Sequence, residues 1–248
     1  MAPPLKVGLA QIRILPGDKK ANVAAILEAV GKAARARCDV LVLPECALAG
    51  WLSPAARFAA EPVPGPLTRK LAALARRHRM AIVAGLEERD GERIYNAAVF
   101  LDEEGRLLLR HRKVAELAIG LELYDRGTSL GVASWRDRTI AVDICADSWG
   151  PEITDALYLM GARVIFSPCA WAVRPGGEET NLAWIREAYR ARTRGKELTI
   201  AAANGVGPLT QGPWAGRVLQ GNSLVVGPDG RTLLEGPTHE VALLTAAV

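Results

Sequence analysis

Three apolar runs in this chain each end on a residue able to do chemistry: a cysteine, a glutamate and a lysine. Cys145 directly follows TIAVDI and precedes a Pro-Glu pair at 151 and 152. A buried strand that stops there turns the chain toward a helix beginning near Pro151. Free backbone N–H groups and the positive end of the helix dipole at such a turn favour a thiolate and an oxyanion. Position alone supports two readings equally, a nucleophile or a buried packing thiol. Glu45 ends the run DVLVLPE, at the carboxyl edge of a strand, where open α/β sheets bind their ligands; the plainer role for such a carboxylate is to solvate a loop or cap a helix. Cys46 points differently from Glu45 and is assigned to packing.

Lys113 closes LLLRHRKV, and in an extended chain it shares a face with His111 while Arg112 points the other way. Taken by itself it reads as a surface lysine. Glu122, in GLELYDRG, is a loop carboxylate whose ordinary fate is solvent exposure. Of the three histidines, His78, His111 and His239, only His111 stands near a strand end where it could serve Cys145 as a base, and a hairpin side chain is the equal alternative. No HxxxH or HxH spacing offers a metal site.

Presenting these residues together requires several strands and helices. The chain opens with a β-α-β pattern, KVGLAQI, then DKKANVAAILEAVGKAARAR with Asp18 at the N-cap position, then DVLVLPE. The helical run LTRKLAALARRHR precedes the strand MAIVAGLEE, and RIYNAAVFLDEEGRLLLRHRKV reads as a hairpin around DEEG. After TIAVDIC come a helix over 152–161, the strand ARVIFSP, a helix from about 178 to 194 and the strand LTIAAAN. A second hairpin around PDG, in VLQGNSLVVGPDGRTLLEG, leads to a last strand, VALLTAAV. Strand-helix units with interspersed hairpins predict an α/β architecture, a mixed sheet covered by helices, in one domain over residues 1–248.

Composition narrows the function classes. The 248 residues are 50% hydrophobic and 23% charged, enough apolar material for one sizeable core. The formal charge of +4 comes from basic residues scattered among acids, and the 5% aromatic content lacks the interleaving a nucleic-acid groove needs. No nucleic-acid partner is expected. No apolar run is long enough to span a bilayer and the opening MAPPLKVGLAQI lacks the regions of a signal peptide, so a cytoplasmic protein without a membrane partner is expected. Cys38, Cys46, Cys145 and Cys169 match neither a disulfide framework nor paired zinc spacing, and free thiols are expected.

In combination, LPE at 43–45, HRK at 111–113 and CADSWGPE at 145–152 resemble the nitrilase superfamily of carbon-nitrogen hydrolases. The likeness extends through GLAQ near the start, YNAAVFLDEEGRLLLRHRK, AAAN and GNSLVVGPDG, and so spans essentially the whole chain. It implies a four-layer α-β-β-α sandwich with mixed sheets, usually dimerised, and chemistry that needs no cofactor or metal. It also implies roles: Glu45 as general base and then acid, Lys113 as oxyanion stabiliser, Cys145 as nucleophile, and Glu122 as a second glutamate that positions Lys113 and substrate, with Glu116 competing for that last assignment. Apolar helix residues such as Leu157, Tyr158, Ile185 and Tyr189 are candidates to cover a second subunit, giving an expected homodimer or higher homo-oligomer.

Members acting on nitriles tend to carry Trp-Glu after the cysteine, whereas amidase-like members carry a residue followed by Asp. CAD here favours a small amide substrate and a thioester intermediate. Hydrolysis of nitriles or N-carbamoyl amino acids, acyl transfer through the same thioester, and a non-catalytic scaffold are the alternatives. Trp149 and Trp171 are the expected pocket-lining residues, with core packing as the alternative. Ala146 beside the cysteine and Tyr124 after Glu122 complete the candidate substrate-binding set. Arg174 is a candidate contact for an anionic substrate.

Overall fold

The structure, a computed structural model, describes residues 4–248. Two six-stranded sheets are stacked between two layers of helices. In the first sheet the spatial order is Ala242–Ala247, Lys6–Gln11, Val40–Val42, Ala81–Asp90, Arg93–Leu101 and Leu107–Arg112. In the second it is Thr232–Glu235, Leu224–Val226, Thr199–Asn204, Val164–Cys169, Arg138–Val142 and Val132–Trp135. Each sheet has a parallel centre and antiparallel flanks. Lys6–Gln11, Val40–Val42 and Ala81–Asp90 run parallel in the first, and Arg138–Val142, Val164–Cys169 and Thr199–Asn204 in the second.

The period-two alternation of the strands explains the layering. Val40, Val42, Ala81 and Val83 join the core shared with the second sheet, whereas Leu41, Leu43, Ile82 and Ala84 pack on the opposite face. That outer face is covered by the helices Lys19–Arg35 and Pro66–His78, which bury Ile26, Ala29, Val30, Ala33, Leu67, Leu71 and Ala75 against it. Asp18 caps the first of these helices by accepting a hydrogen bond from the Ala21 amide at 2.9 Å. Helices Pro151–Leu159 and Glu178–Thr193 bury Leu157, Ile185 and Tyr189 in the core of the second sheet. The architecture is therefore the α-β-β-α sandwich. Leu157, Ile185 and Tyr189 are fully enclosed by their own chain, so they are not the surface of a second subunit; the outward apolar residues of these segments are Leu159, Met160 and Trp184.

The parallel centre decides where chemistry can occur, because the carboxyl ends of neighbouring parallel strands open on one edge. Glu45 follows Val40–Val42, Cys145 follows Arg138–Val142, and Trp171 follows Val164–Cys169. A third, three-stranded sheet, Val206–Pro208, Val218–Gln220 and Ala172–Val173, continues from the ends of the second-sheet strands. The expected hairpin around DEEG is formed by Arg93–Leu101 and Leu107–Arg112, which deliver Lys113 toward the same edge. None of the helices among the described residues is long and apolar enough to cross a membrane.

Phe100 marks the seam between the sheets. It is fully buried, with its ring 5.1 Å from Trp135 and 5.6 Å from Phe166 of the opposing sheet. Phe100→Ala removes this filling from a site that cannot readily collapse, and a loss of about 3–5 kcal/mol is expected in urea unfolding. A loss below about 1 kcal/mol would mean that the seam is loosely packed.

Candidate active site

Glu45 is fixed by its backbone before its side chain does anything. Its amide donates to the Cys169 carbonyl at 3.2 Å, which ties the end of one sheet to the other. Gly85 makes room for this turn: a methyl there would lie 2.4 Å from the Pro44 carbonyl oxygen and 2.6 Å from the Glu45 Cα. The following turn is held from below by Glu87, whose carboxylate accepts from the Leu48 and Ala49 amides at 3.1 and 3.0 Å. Burial raises the Glu87 carboxyl to about 7 despite these bonds.

Lys113 is buried, and its Nζ donates to Glu45 Oε1 at 2.7 Å. Glu116 Oε1 lies 3.8 Å from the same nitrogen. The Asn96 side-chain amide joins the two acids, donating to Glu45 Oε1 at 2.6 Å and to Glu116 Oε2 at 3.2 Å. Burial works against the Lys113 cation, but the flanking carboxylates of Glu45 and Glu116 more than offset it and hold its pKa well above the ordinary lysine value. Burial likewise raises the Glu116 carboxyl, against the pull of Lys113. Glu45 Oε2 is enclosed and makes no hydrogen bond, which leaves one carboxylate oxygen unengaged.

Cys145 opens a single 3-10 turn, Cys145–Ser148, with φ of 49°, a left-handed conformation that side chains seldom adopt. Asp147 locks that turn to the lysine strand. Its Oδ1 accepts from the Val114 and Ala115 amides at 3.1 and 2.7 Å, and its Oδ2 accepts from the Ile144 amide at 3.1 Å and meets His111 Nε2 at 2.7 Å. The Asp of CAD thus sets cysteine and lysine relative to one another, and His111 is engaged by it rather than by Cys145. Burial, a thiol contact with Cys169 and the Glu45 carboxylate push the Cys145 thiol well above its ordinary value, against the opposing pull of Lys113. This balance favours the thiol over the thiolate.

Glu45, Lys113, Cys145, Trp149 and Trp171 line one cavity of about 130 Å³. Five of the six tryptophans contribute to it, the others being Trp51, Trp184 and Trp214; Leu117, Asn181, Ile185 and Arg217 are also in the wall. Trp149 meets Trp184 edge to face at 4.9 Å, and Trp51 meets Trp214 in the same way at 4.9 Å. Lys113 Nζ lies 5.7 Å from the Trp51 ring centre.

Other expected site residues stand elsewhere. Glu122 is exposed in a separate groove with Leu52, Pro54 and Arg57, and its carbonyl accepts from Arg57 at 3.4 Å. The position beside Lys113 belongs instead to Glu116, which corrects the sequence assignment. Glu116 stands three positions after Lys113, and the chain then folds back over it: a methyl on Gly120 would lie 2.3 Å from Glu116 Oε1. Tyr124 is buried behind the site, where its hydroxyl accepts from the Leu52 amide at 3.3 Å and contacts Cys46. Ala146 is buried in the cysteine turn but is not part of the cavity wall. Arg174 is exposed away from the cavity, which takes Arg217 in its place. The sequence reading missed Asn96, Trp51, Trp214 and Arg217; Asn96 carried a signal, a polar residue inside the apolar strand Arg93–Leu101, where it pairs in register with Glu87.

The carbon-nitrogen hydrolase family model matches residues 6–248, and the chain belongs to that family. It is 30% identical over 239 residues to an (R)-stereoselective amidase of Pseudomonas sp, covering 96% of this chain and 82% of that protein. It is 24% identical over 248 residues to the omega-amidase NIT2 of Mus musculus, covering 96% and 86%. Among solved structures, an amidase from Nesterenkonia sp. aligns with a TM-score of 0.84 at 25% identity, covering 100% of this chain and 91% of that one. A mutant of the amidase from Nesterenkonia sp. AN1, bearing acrylamide added at its active site cysteine, aligns with a TM-score of 0.84 at 26% identity, covering 98% and 93%. The chain is thus a nitrilase-superfamily hydrolase of the amidase-like kind.

Alkylation by iodoacetamide tests the protonation state at Cys145. Its rate is expected to rise from about pH 6 to about pH 9 without levelling, because the thiolate forms above the ordinary thiol range. A plateau at neutral pH would show a preformed thiolate and contradict the electrostatic balance described above.

Proposed function

We propose that this protein hydrolyses the carbon-nitrogen bond of a small carboxamide through a thioester on Cys145, with Glu45 as the proton shuttle and Lys113 as the oxyanion partner. The observation that carries the reading is the convergence of Glu45, Lys113 and Cys145 on one cavity, with Glu45 Oε2 buried and unengaged. Such an oxygen is available to take the thiol proton as sulfur attacks the amide carbon. The carbonyl oxygen then gains negative charge beside the Lys113 ammonium, which is already held in place by its carboxylates and needs no reorganisation. When the tetrahedral adduct collapses, the carbon-nitrogen bond breaks and Glu45 returns its proton to the departing nitrogen, so that ammonia leaves and the acyl group stays on sulfur. Water enters, Glu45 takes one of its protons, hydroxide attacks the thioester, and the carboxylic acid departs as the thiol is restored.

Amidase and omega-amidase relatives support amides as the substrate class. Within this reading Glu116 acts as a positioning residue: it holds Lys113 and Asn96 without receiving the thiol proton. A homodimer remains part of the proposal, and light scattering at micromolar concentration measures it.

Ammonia release from a panel of short amides separates the three glutamates. Glu45→Gln keeps the shape but cannot accept a proton, and a loss of about a hundredfold to ten-thousandfold in kcat is expected. Glu116→Gln is expected to lose about tenfold to a hundredfold, through misplacement of Lys113. Glu122→Gln should turn over like the unaltered protein. Full activity in Glu45→Gln would remove the proton shuttle, and a severe loss in Glu122→Gln would restore that residue to the site.

A further inference from the structure

The nucleophile has a second thiol beside it. Arg138–Val142 and Val164–Cys169 run parallel with Val142 opposite Phe166, and the pairing continues one step further through the Asp143 amide, which donates to the Phe166 carbonyl at 3.2 Å. Cys145 stands three residues past Val142 and Cys169 three residues past Phe166, so both reach the carboxyl edge of the second sheet at the same level. Neighbouring strands lie about 4.8 Å apart, inside the Cα separation of about 4.4–6.8 Å that a disulfide spans. The side chains meet there, the Cys145 thiol being in hydrogen-bond contact with that of Cys169.

Few strong contacts hold Cys169 in its present orientation. Its Sγ donates to the Ser167 carbonyl at 3.3 Å and lies 3.3 Å from the Tyr189 hydroxyl and 3.6 Å from Ser167 Oγ. Sulfur makes only weak hydrogen bonds, so a turn of this side chain toward Cys145 gives up little. The two thiols differ in access. Cys169 is fully enclosed, whereas Cys145 lines the cavity and is 5% exposed, so a small oxidant that enters the cavity meets Cys145 first. Cys38 and Cys46 belong to the other core, beneath the helices of the first sheet, which leaves Cys169 as the partner.

We propose that Cys145 and Cys169 form a reversible oxidative modification site, in which hydrogen peroxide entering the cavity converts the facing thiols to a disulfide that silences the enzyme and shields its nucleophile from irreversible oxidation. The Cys145 thiolate sulfur attacks one peroxide oxygen, the O–O bond breaks, and the hydroxide that leaves takes up the thiol proton as water. The sulfur becomes a sulfenic acid, oxidised by two electrons while the peroxide is reduced. Cys169 sulfur then attacks that of Cys145, the S–O bond breaks, and the departing hydroxide carries off the Cys169 proton as a second water. Two thiols and one peroxide thus give one disulfide and two waters. An external dithiol returns two electrons and two protons and restores both thiols. Without Cys169 the sulfenic acid stays open to further peroxide, and the sulfinic and sulfonic acids that follow are not reversed by thiols. The loss of activity rests on Cys145 being the nucleophile of the proposed function; formation of the bond does not.

The test exposes the unaltered protein to hydrogen peroxide in mildly alkaline buffer, where the Cys145 thiol ionises, and follows ammonia release from short amides, free thiols counted in denaturant, and peptide masses under non-reducing conditions. Two of the four free thiols are expected to disappear, and the peptides bearing Cys145 and Cys169 to be joined with the loss of two hydrogens. Turnover should be lost in step with the link and return after dithiothreitol. In Cys169→Ser, whose untreated turnover serves as its own reference, peroxide should instead leave Cys145 carrying two or three added oxygens, and dithiothreitol should not restore turnover. Oxygen added at Cys145 of the unaltered protein with no link to Cys169, a link between other cysteines, or equal recovery of the two proteins would overturn the site. Should Cys169→Ser not fold, the peptide map of the unaltered protein decides alone. The two readings fail separately. A Cys145–Cys169 link with undiminished ammonia release would keep the site and sink Cys145 as the nucleophile, whereas turnover lost to oxygen addition at Cys145 without a link would keep the hydrolase reading and overturn the disulfide.

Discussion

The structure depends on an ammonium group enclosed between two carboxylates. Lys113 has lost its water, and only Glu45 at 2.7 Å and Glu116 at 3.8 Å make the buried cation tolerable. Removing either partner from such an arrangement typically costs about 3–5 kcal/mol, since the remaining charge is left buried and uncompensated. The three groups must therefore be delivered together, from a strand end, a hairpin end and the turn after it. Asn96, on the neighbouring strand, bonds both acids and prevents them from separating. A buried cluster of this sort adds little to stability by itself, and in the proposed mechanism it holds a charge already oriented when an oxyanion forms.

That requirement explains several features that look unrelated. Gly85 has no side chain because the Pro44–Glu45 backbone passes over it. Asp147 bonds the residues after Lys113 through one carboxylate oxygen and Ile144 and His111 through the other, so the cysteine turn and the lysine strand cannot drift apart. The amide of Glu45 bonds to the carbonyl of Cys169, so the two sheets meet where the chemistry is placed. Rigid sheet edges supply Glu45, Lys113 and Cys145 to the cavity, while the loops that follow them supply most of its tryptophans.

Much of this was legible in the sequence, for identifiable reasons. Runs such as DVLVL and TIAVDI are apolar because both faces of a central strand are covered, and a polar residue directly after such a run has to stand at a sheet edge. Glu45 and Cys145 became candidates in this way, whereas Lys113 read by itself as a surface lysine and became one only through the family resemblance. Glu116 and Glu122 could not be separated from spacing, because their placement turns on how the chain folds back after Lys113, a matter of loop geometry that periodicity does not encode. The same holds for Trp51, Trp214 and Arg217, which come from distant loops and meet only in three dimensions. Leu157, Ile185 and Tyr189 have the look of an interface in the sequence, but the sheet beneath their helices claims that face first.

The central claim, that acyl transfer to Cys145 is the covalent step, is tested most directly by quenching the protein in acid during turnover of a small amide and mapping peptides by mass spectrometry. The account predicts an acyl adduct on the peptide bearing Cys145, present during turnover and gone once substrate is exhausted. Ammonia released in a first turnover with no adduct on any cysteine, or an adduct that forms instead on Cys46 or Cys169, would contradict it.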